Sequence, residues 1–407
     1  FVERVVAGQG QRLRRQYLPA IGRCGHHDAV HDFVLARRVA RRDRQHAHAH
    51  FDQPEKDGNR NEEDKVVPEL HMEVDEGLAS QLPIVYGEIR RMGNVGENWL
   101  ELIGKPHQGP YASARIMTVD IGGGTTDYCI LDYEDRTIGV GVDLHSTLLY
   151  KDSSPVAGDL MVRRILEEIL LPQIGRRSEF SNDKDQMRVY ADLFKRNKRR
   201  GKELEEWKRL LRLFFLPIVN EWLKRWSAGR LHEPIVLEGI SGLDLRQINV
   251  LNRIGREEGL KFDIWSEGAE VLDFANEKAL EAVVRETYGY LFRSLAKLVP
   301  VFGVDLVVLT GKPSELPAVK NLLEETMALP ANRILPVKDF PIGEWYPFKR
   351  SGRISDAKTV TACGAALYRA LKRSMVPGWN GIKRRTASTI LRSNCWMTVL
   401  PPGSPRN

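Results

Sequence analysis

The stretch that most constrains the fold is residues 116–131, where three consecutive glycines separate two apolar runs. The first run ends at Asp120, the glycines are Gly122, Gly123 and Gly124, and the second run follows directly. Glycine has no Cβ, so such a turn can be tight and can let a ligand approach backbone N–H groups. The pattern predicts a β-hairpin whose turn binds phosphate. An ordinary glycine-rich turn without a ligand is the alternative.

The side chains around this turn suit a phosphate site. Asp120 ends a predicted strand, where its carboxylate can hold a hydrated Mg²⁺ or orient a water, because Mg²⁺ keeps several waters and binds through one carboxylate and substrate phosphates. Thr125 and Thr126 add hydroxyl donors for phosphate oxygens. The turn has neither the lysine of a Walker A loop nor the spacing of a dinucleotide fingerprint. Asp120 is therefore the predicted metal-binding and catalytic residue.

Three segments resemble a known superfamily. Residues 120–127 resemble the second phosphate motif of the actin/heat-shock chaperone/sugar-kinase ATPases. Residues 305–317 are similar to the adenosine motif of these ATPases, and residues 356–367 to their second connecting helix, in the same order along the chain. Residues 309–317 and 343–358 resemble the carboxyl-terminal region of the bacterial virulence factor SrfB family more closely.

The resemblance implies an α/β fold: an actin-like ATPase lobe of ribonuclease H-like type, with a mixed sheet, helices on both faces and a helical insertion. It implies binding of ATP and Mg²⁺, with the phosphates on the glycine turn. Gly311 would flank the adenosine, and Ser314 or Glu315 would begin the next helix, whose amino terminus faces the same cleft. A structural turn between a strand and a helix is the alternative for Gly311 and Ser314.

Two further site residues follow from the resemblance. Glu76 lies where the superfamily carries a polar residue near the attacking water, and Gln81 is the second choice. Simple capping of a helix by Glu76 is the alternative. Gly158 resembles part of a turn that approaches the terminal phosphate, although Ala157 replaces the first glycine of that turn. A helix N-cap is the alternative at Gly158.

Hydrophobic periodicity gives the coarse secondary structure. Residues 73–90 and 276–299 are predicted to be helices, and residues 306–309 a buried strand that ends before Gly311. Residues 137–142 are predicted to form the strand that follows the glycine hairpin.

The sequence and the resemblance together imply five regions, which make up an incomplete two-lobe architecture. They are a basic His/Arg-rich arm with a polar linker (1–66), a remnant of lobe I with a connecting helix (67–115), the nucleotide-binding lobe II (116–355) with a helical insertion (160–230), a second connecting helix (356–372), and a basic tail (373–407). In residues 1–66, a solvated arm, a metal-binding histidine tract and a miscalled gene start all remain open.

The superfamily builds its site from two lobes, and lobe I opens with its own phosphate hairpin. No such motif precedes Asp120, and Asp57 and Gly58 lie in polar surroundings. Phosphoryl transfer depends on several positioned groups at once. We therefore expect a fragment with weak turnover or none, and ATP hydrolysis if the intact protein supplies the missing hairpin. A small-molecule kinase and a non-enzymatic interaction scaffold are the alternatives.

The distribution of charge along the chain limits the kinds of partner that it is expected to bind. The chain carries a net charge of +7, but the basic excess lies in residues 1–50 and 369–407, so no basic groove for specific nucleic-acid binding is expected in the middle. The basic tail is the predicted contact for a protein partner. No apolar run is long enough to predict a transmembrane segment. Four widely spaced cysteines suit a reducing compartment. We expect a bacterial cytoplasmic protein, with export as a virulence factor as the alternative.

Overall fold

A computed structural model of the chain describes residues 74, 76–105, 110–178, 181–195, 199–233, 235–261, 271–272 and 276–386. The predicted arm (1–66) lies outside the described residues, and so do Asp57, Gly58 and residues 387–407 of the predicted tail.

The described part of the chain contains twelve α-helices. They are α1 (Glu76–Arg91), α2 (Gly96–Ile103), α3 (Gly158–Ile165), α4 (Leu171–Arg177), α5 (Lys184–Lys195), α6 (Gly201–Leu210), α7 (Leu216–Ser227), α8 (Arg246–Glu257), α9 (Glu277–Ala296), α10 (Leu298–Phe302), α11 (Pro317–Thr326) and α12 (Val360–Lys372). Single π-helical turns join α3 to α4 and α6 to α7. Short 3₁₀ turns include Lys312–Glu315 and Ala357–Thr359.

The described strands form one main sheet and two small two-stranded ladders. The strands are β1 (Ser113–Ile121), β2 (Thr126–Asp135), β3 (Val142–Ser154), β4 (Ile235–Val236), β5 (Val271–Leu272), β6 (Leu306–Thr310), β7 (Ile334–Pro336), β8 (Lys349–Arg350), β9 (Arg353–Ile354) and β10 (Trp379–Thr386). The main sheet has the order β10-β3-β2-β1-β6-β7, and the ladders pair β4 with β5 and β8 with β9.

The main sheet is mixed. Strands β1, β2 and β3 form an antiparallel meander, whereas β6, β7 and β10 pair in parallel with β1, β6 and β3, respectively. A parallel pair needs a crossover, and the long chain segments between β3 and β6 supply it. The α/β class and the mixed sheet predicted from the sequence are confirmed.

Helices cover the main sheet. One face packs against α1, α2 and α12, where Leu82, Leu131 and Val308 belong to one buried apolar cluster. Residues that alternate with these along the strands, such as Val119 and Leu309, are also fully buried, because the opposite face is covered too. Apolar side chains on both faces are typical of a sheet between two helical layers.

The chain divides into two compact units. The larger contains Pro68–Arg176, Phe215–Leu245 and Trp265–Asn407, and so holds the main sheet. The smaller includes Arg177–Phe214 and Arg246–Ile264.

Aromatic packing and ion pairs hold the described part of the smaller unit together. The ring of Trp207 contacts Phe194 at 5.5 Å between centroids, and the Arg199 guanidinium lies 3.8 Å from its centre. Arg253 bridges Glu206 and Glu257.

Three of the predicted elements are confirmed with small shifts. The helix predicted over 73–90 is α1, the strand predicted over 306–309 is β6, and the helix predicted over 276–299 is α9 followed by α10.

The strand predicted over residues 137–142 is wrong. Residues 137–141 belong to the turn between β2 and β3, and the strand begins at Val142 and continues to Ser154. Gly139 and Gly141 adopt φ of 89° and 100°, which interrupts the extended backbone. The alternation of Ile138 and Val140 with glycines imitates a strand pattern, but both side chains are exposed.

Helices α1 and α12, the predicted connecting helices, pack closely against each other. Gly364 of α12 faces α1 so tightly that a Cβ there would overlap the carbonyl oxygen of Ala79, and it would approach Pro83 Cδ to 3.0 Å. The contact therefore depends on the absence of a side chain at Gly364.

We expect Gly364→Ala to destabilise the protein. Alanine favours helix over glycine by about 1 kcal/mol, but the overlap with the α1 backbone should cost about 1–3 kcal/mol or more. Thermal unfolding should show a lower Tm than wild type. Ala366→Ser, at an exposed position of the same helix, is the control and should change Tm little. A higher Tm for Gly364→Ala would contradict the packing.

Candidate functional site

The glycine turn and the predicted adenosine turn lie side by side at the carboxyl ends of β1 and β6, two neighbouring interior strands of the main sheet. Asp120 on β1 is in parallel register with Thr310 on β6, so Gly311 leaves the sheet directly beside the β1 end. Gly311 has a φ of 87°. A Cβ on Gly311 would overlap the Ile121 carbonyl and lie 2.8 Å from Asp120 Oδ1. Only glycine allows this approach.

The glycine turn leaves several N–H groups available. Gly122 N–H donates to the Thr125 carbonyl at 2.8 Å and closes the hairpin. Within the described part of the chain, the N–H groups of Gly123, Gly124 and Thr125 have no hydrogen-bond acceptor. These residues are exposed or partly exposed. Successive N–H groups with no partner in a turn form a site for an anion.

The carbonyl groups of the same turn are held by the start of α3. Gly158 N–H donates to the Gly122 carbonyl at 2.9 Å, and Asp159 N–H donates to the Gly123 carbonyl at 2.7 Å. A Cβ on Gly158 would lie 2.9 Å from Pro313 Cγ. The α3 start therefore touches both the glycine turn and the segment after Gly311, so the structure brings Gly158 together with the other predicted site residues.

The surroundings of Asp120 disfavour its negative charge. Burial raises its pKa from 3.8 to about 7, and the nearby negative charges of Glu76 and Asp127 add to the shift. Near neutral pH its carboxyl group is therefore about half protonated. The same repulsion places Glu76, at the start of α1, within electrostatic reach of Asp120.

Gln81, the second choice for the polar residue near the water, does not join this group. Its side chain is fully buried and donates to the Ile116 carbonyl at 3.1 Å, in the core of the sheet. The Gln81 side-chain amide therefore forms its hydrogen bond inside the core.

The hydroxyl groups predicted to contact phosphate have different surroundings. Thr125 is exposed and donates to Asp127 Oδ2 at 3.0 Å. Thr126 is buried and donates to the Val156 carbonyl at 2.6 Å. Ser314 is buried and donates to the Gly311 carbonyl at 2.6 Å. The last two hydroxyls therefore stabilise the turns themselves, and ligand contacts from Thr126 and Ser314 stay predictions.

The ion pairs of Glu315 beside Gly311 were not predicted from the sequence. The Glu315 side chain is only 3% exposed and pairs with Lys312 Nζ at 2.6 Å and Lys338 Nζ at 3.5 Å. The sequence could have indicated the pairing of Lys312 with Glu315, because residues three apart on one helical turn are neighbours. Lys338 has no such signal, because it reaches Glu315 only through the pairing of β7 with β6.

The described residues contain no group of three or more His, Cys, Asp or Glu side chains placed to hold a metal ion. A cation beside Asp120 would need ligands from water or a bound anion as well.

Comparison with known proteins identifies the family. A family model described as "Virulence factor SrfB" matches residues 42–388, most of the chain. The chain belongs to the SrfB virulence factor family. The resemblance to SrfB stated from the sequence is confirmed. No curated protein matches the chain. In the part that the structure describes, every helix is too short or too polar to cross a lipid bilayer.

The raised pKa of Asp120 predicts a pH-dependent stability. Its folded-state pKa of about 7 exceeds the ordinary 3.8, so the folded protein keeps a proton that the unfolded chain releases. The stabilising contribution of this proton is complete below about pH 4 and is lost as the pH rises to about 7.

Asp120→Asn is neutral at every pH and should escape this loss. We expect the variant to exceed wild type in unfolding free energy by on the order of 1–3 kcal/mol at pH 8, and by little at pH 4. Chemical denaturation across this pH range measures the difference. Glu281→Gln, an exposed acid on α9, is the control. A difference for Asp120→Asn that does not change with pH would show that Asp120 has an ordinary pKa.

Proposed function

We propose that this SrfB-family chain binds Mg-ATP at the carboxyl ends of β1 and β6, as the nucleotide-binding lobe of an actin- or chaperone-like ATPase. One observation carries the proposal. Three adjacent backbone N–H groups, those of Gly123, Gly124 and Thr125, have no acceptor in the described chain and lie next to the Asp120 carboxylate and the Gly311 turn.

The position of these turns supports a ligand site. Ligands of open α/β sheets bind in crevices outside the carboxyl ends of the strands. Parallel strands β1 and β6 end side by side, at Ile121 and Thr310. The mixed sheet with helical layers is also the architecture that the superfamily resemblance implies.

Phosphate oxygens suit the donors of the glycine turn. Hydrogen bonds from backbone N–H groups to an anion are short and strong, and Gly123 and Gly124 have no side chain of their own. The Thr125 hydroxyl is exposed and can turn toward a phosphate. In this proposal the β- and γ-phosphates lie on the turn, and the adenosine extends past Gly311.

The residues at Asp120 fit a divalent cation. Burial raises the pKa of Asp120, and the negative charges of Glu76 and Asp127 add to the shift by repelling its charge. A positive charge relieves that repulsion, and Asp120 with phosphate oxygens and water is a donor set that Mg²⁺ accepts. Bound Mg²⁺ would supply neutralisation of phosphate charge.

Hydrolysis would be slow in this proposal. In this proposal, Glu76 and Asp120 orient or deprotonate a water. Efficient phosphoryl transfer also needs donors on the other side of the phosphates, and the described residues offer a single glycine-rich phosphate turn. ATP binding with little turnover is therefore the expected behaviour of this chain.

Isothermal titration of the full chain with Mg-ATP tests the proposal. We expect measurable binding by wild type and at least tenfold weaker binding by Asp120→Ala, equivalent to about 1.4 kcal/mol. Glu281→Ala, at an exposed position on α9, should bind like wild type. Affinity should also rise from pH 6 to pH 8, because Asp120 binds a cation only when it is ionised.

Two results would overturn the proposal. Equal affinity of wild type and Asp120→Ala would remove the assigned site. If wild-type protein unfolds cooperatively but shows no detectable binding, the alternative of a non-enzymatic interaction scaffold, which keeps the fold without binding a nucleotide, would be favoured.

A further inference from the structure

The turn between β2 and β3 exposes two apolar side chains almost completely. Ile138 is 93% exposed and Val140 is 94% exposed, the largest values among the described large hydrophobic residues. Single exposed apolar residues are ordinary. Two β-branched residues at the tip of one protruding hairpin turn, with Gly139 and Gly141 beside them, gain nothing for folding and point to an external contact.

A second turn adds to this surface. Asn380 Nδ2 donates to the Val140 carbonyl at 2.9 Å, and Ser374 Oγ donates to the Asn380 carbonyl at 3.2 Å. The turn after α12 therefore lies against the β2–β3 turn, and Met375 in it is 68% exposed. Ile138, Val140 and Met375 are called the apolar tip below.

The apolar tip lies at the end of the larger unit opposite the candidate site. Helix α1 begins at Glu76 beside Asp120, and α12 follows Ala357, whose carbonyl accepts from Thr310 Oγ1 at 3.5 Å. Both helices end beside the tip, and the 16 residues of α1 span about 24 Å. A ligand at the glycine turn cannot cover these side chains.

Basic residues surround the apolar tip. The segment 369–384, which includes the end of α12 and most of β10, carries five Lys or Arg and no acidic residue. Arg90 and Arg373 are exposed beside the tip.

The acidic groups at this end are mostly neutralised. Glu88, Glu134 and Asp143 pair with Arg91, Arg136 and Lys383 in turn. Asp135 is buried and accepts from the Thr137 N–H group, and Glu97 is exposed at the start of α2. The surroundings of the tip therefore have a net positive charge.

We propose that the apolar tip and the basic residues of 369–384 form a docking surface for an anionic lipid bilayer. A protruding apolar turn can enter the boundary between headgroups and acyl chains, while lysine and arginine contact anionic headgroups. Attachment at this end would leave the glycine turn facing away from the bilayer.

Vesicle sedimentation of the full chain tests the surface. One set of vesicles is pure phosphatidylcholine, and the other is an equimolar mixture with phosphatidylglycerol. We expect binding to the mixed vesicles, little binding to the neutral ones, and release by NaCl at about 0.5 M. Ile138→Ser/Val140→Ser should weaken binding to mixed vesicles about tenfold. Both side chains are exposed, so Tm should not change.

A matched control distinguishes binding by the apolar tip from nonspecific binding by any exposed apolar side chain. Tyr290→Ser/Val301→Ser removes two other exposed apolar side chains, 78% and 73% exposed, on α9 and α10, and should bind like wild type. A charge variant tests the basic residues beside the tip. Lys372→Gln/Arg373→Gln, at the exposed last residue of α12 and the exposed residue after it, should weaken binding to mixed vesicles at low salt.

Three outcomes would overturn the proposal. They are no binding of wild type to mixed vesicles, equal binding of the tip variant and wild type, and equal binding to neutral and mixed vesicles. The second outcome would assign the attraction to the basic ends of the chain, since residues 1–50 carry ten Arg and four acids. Loss of ATP binding by Asp120→Ala does not bear on this result.

Discussion

Close backbone packing around the end of β1 is the constraint on which the candidate site depends. Gly158 and Gly311 let the α3 start and the β6 end approach the glycine turn at distances that a Cβ would prevent. The carbonyl groups of Gly122 and Gly123 are thereby tied to α3. Because those carbonyls are fixed, the orientation of the turn is fixed, while the N–H groups of Gly123, Gly124 and Thr125 have no acceptor in the described chain.

The same packing has an electrostatic consequence. Asp120 is enclosed between Gly311 and the charges of Glu76 and Asp127, so its ionised form is disfavoured. A protein gains no stability from such a carboxylate, and sites of this kind often bind or react with something. In this SrfB-family chain, a cation with a phosphate group would satisfy both the carboxylate and the N–H groups of the turn.

The sequence predicted the parts of the site whose chemistry is local. The glycine hairpin, the strand before Gly311 and the helix at Glu76 were found because apolar periodicity and glycine spacing are properties of short segments. These segments come together at the carboxyl ends of β1 and β6 because the two strands pair in parallel register, which no local pattern specifies. Ile138 and Val140 were misassigned because alternation alone does not distinguish a strand from a turn. Lys338 was missed because β7 brings it to Glu315.

Amide hydrogen exchange with and without Mg-ATP tests the central claim most directly, because the claim concerns particular backbone N–H groups. The account predicts slower exchange at Gly123, Gly124 and Thr125 when the nucleotide is present, with further protection after Gly311. Unchanged exchange in these segments under conditions where the nucleotide binds would contradict it, and the nucleotide site would then lie elsewhere.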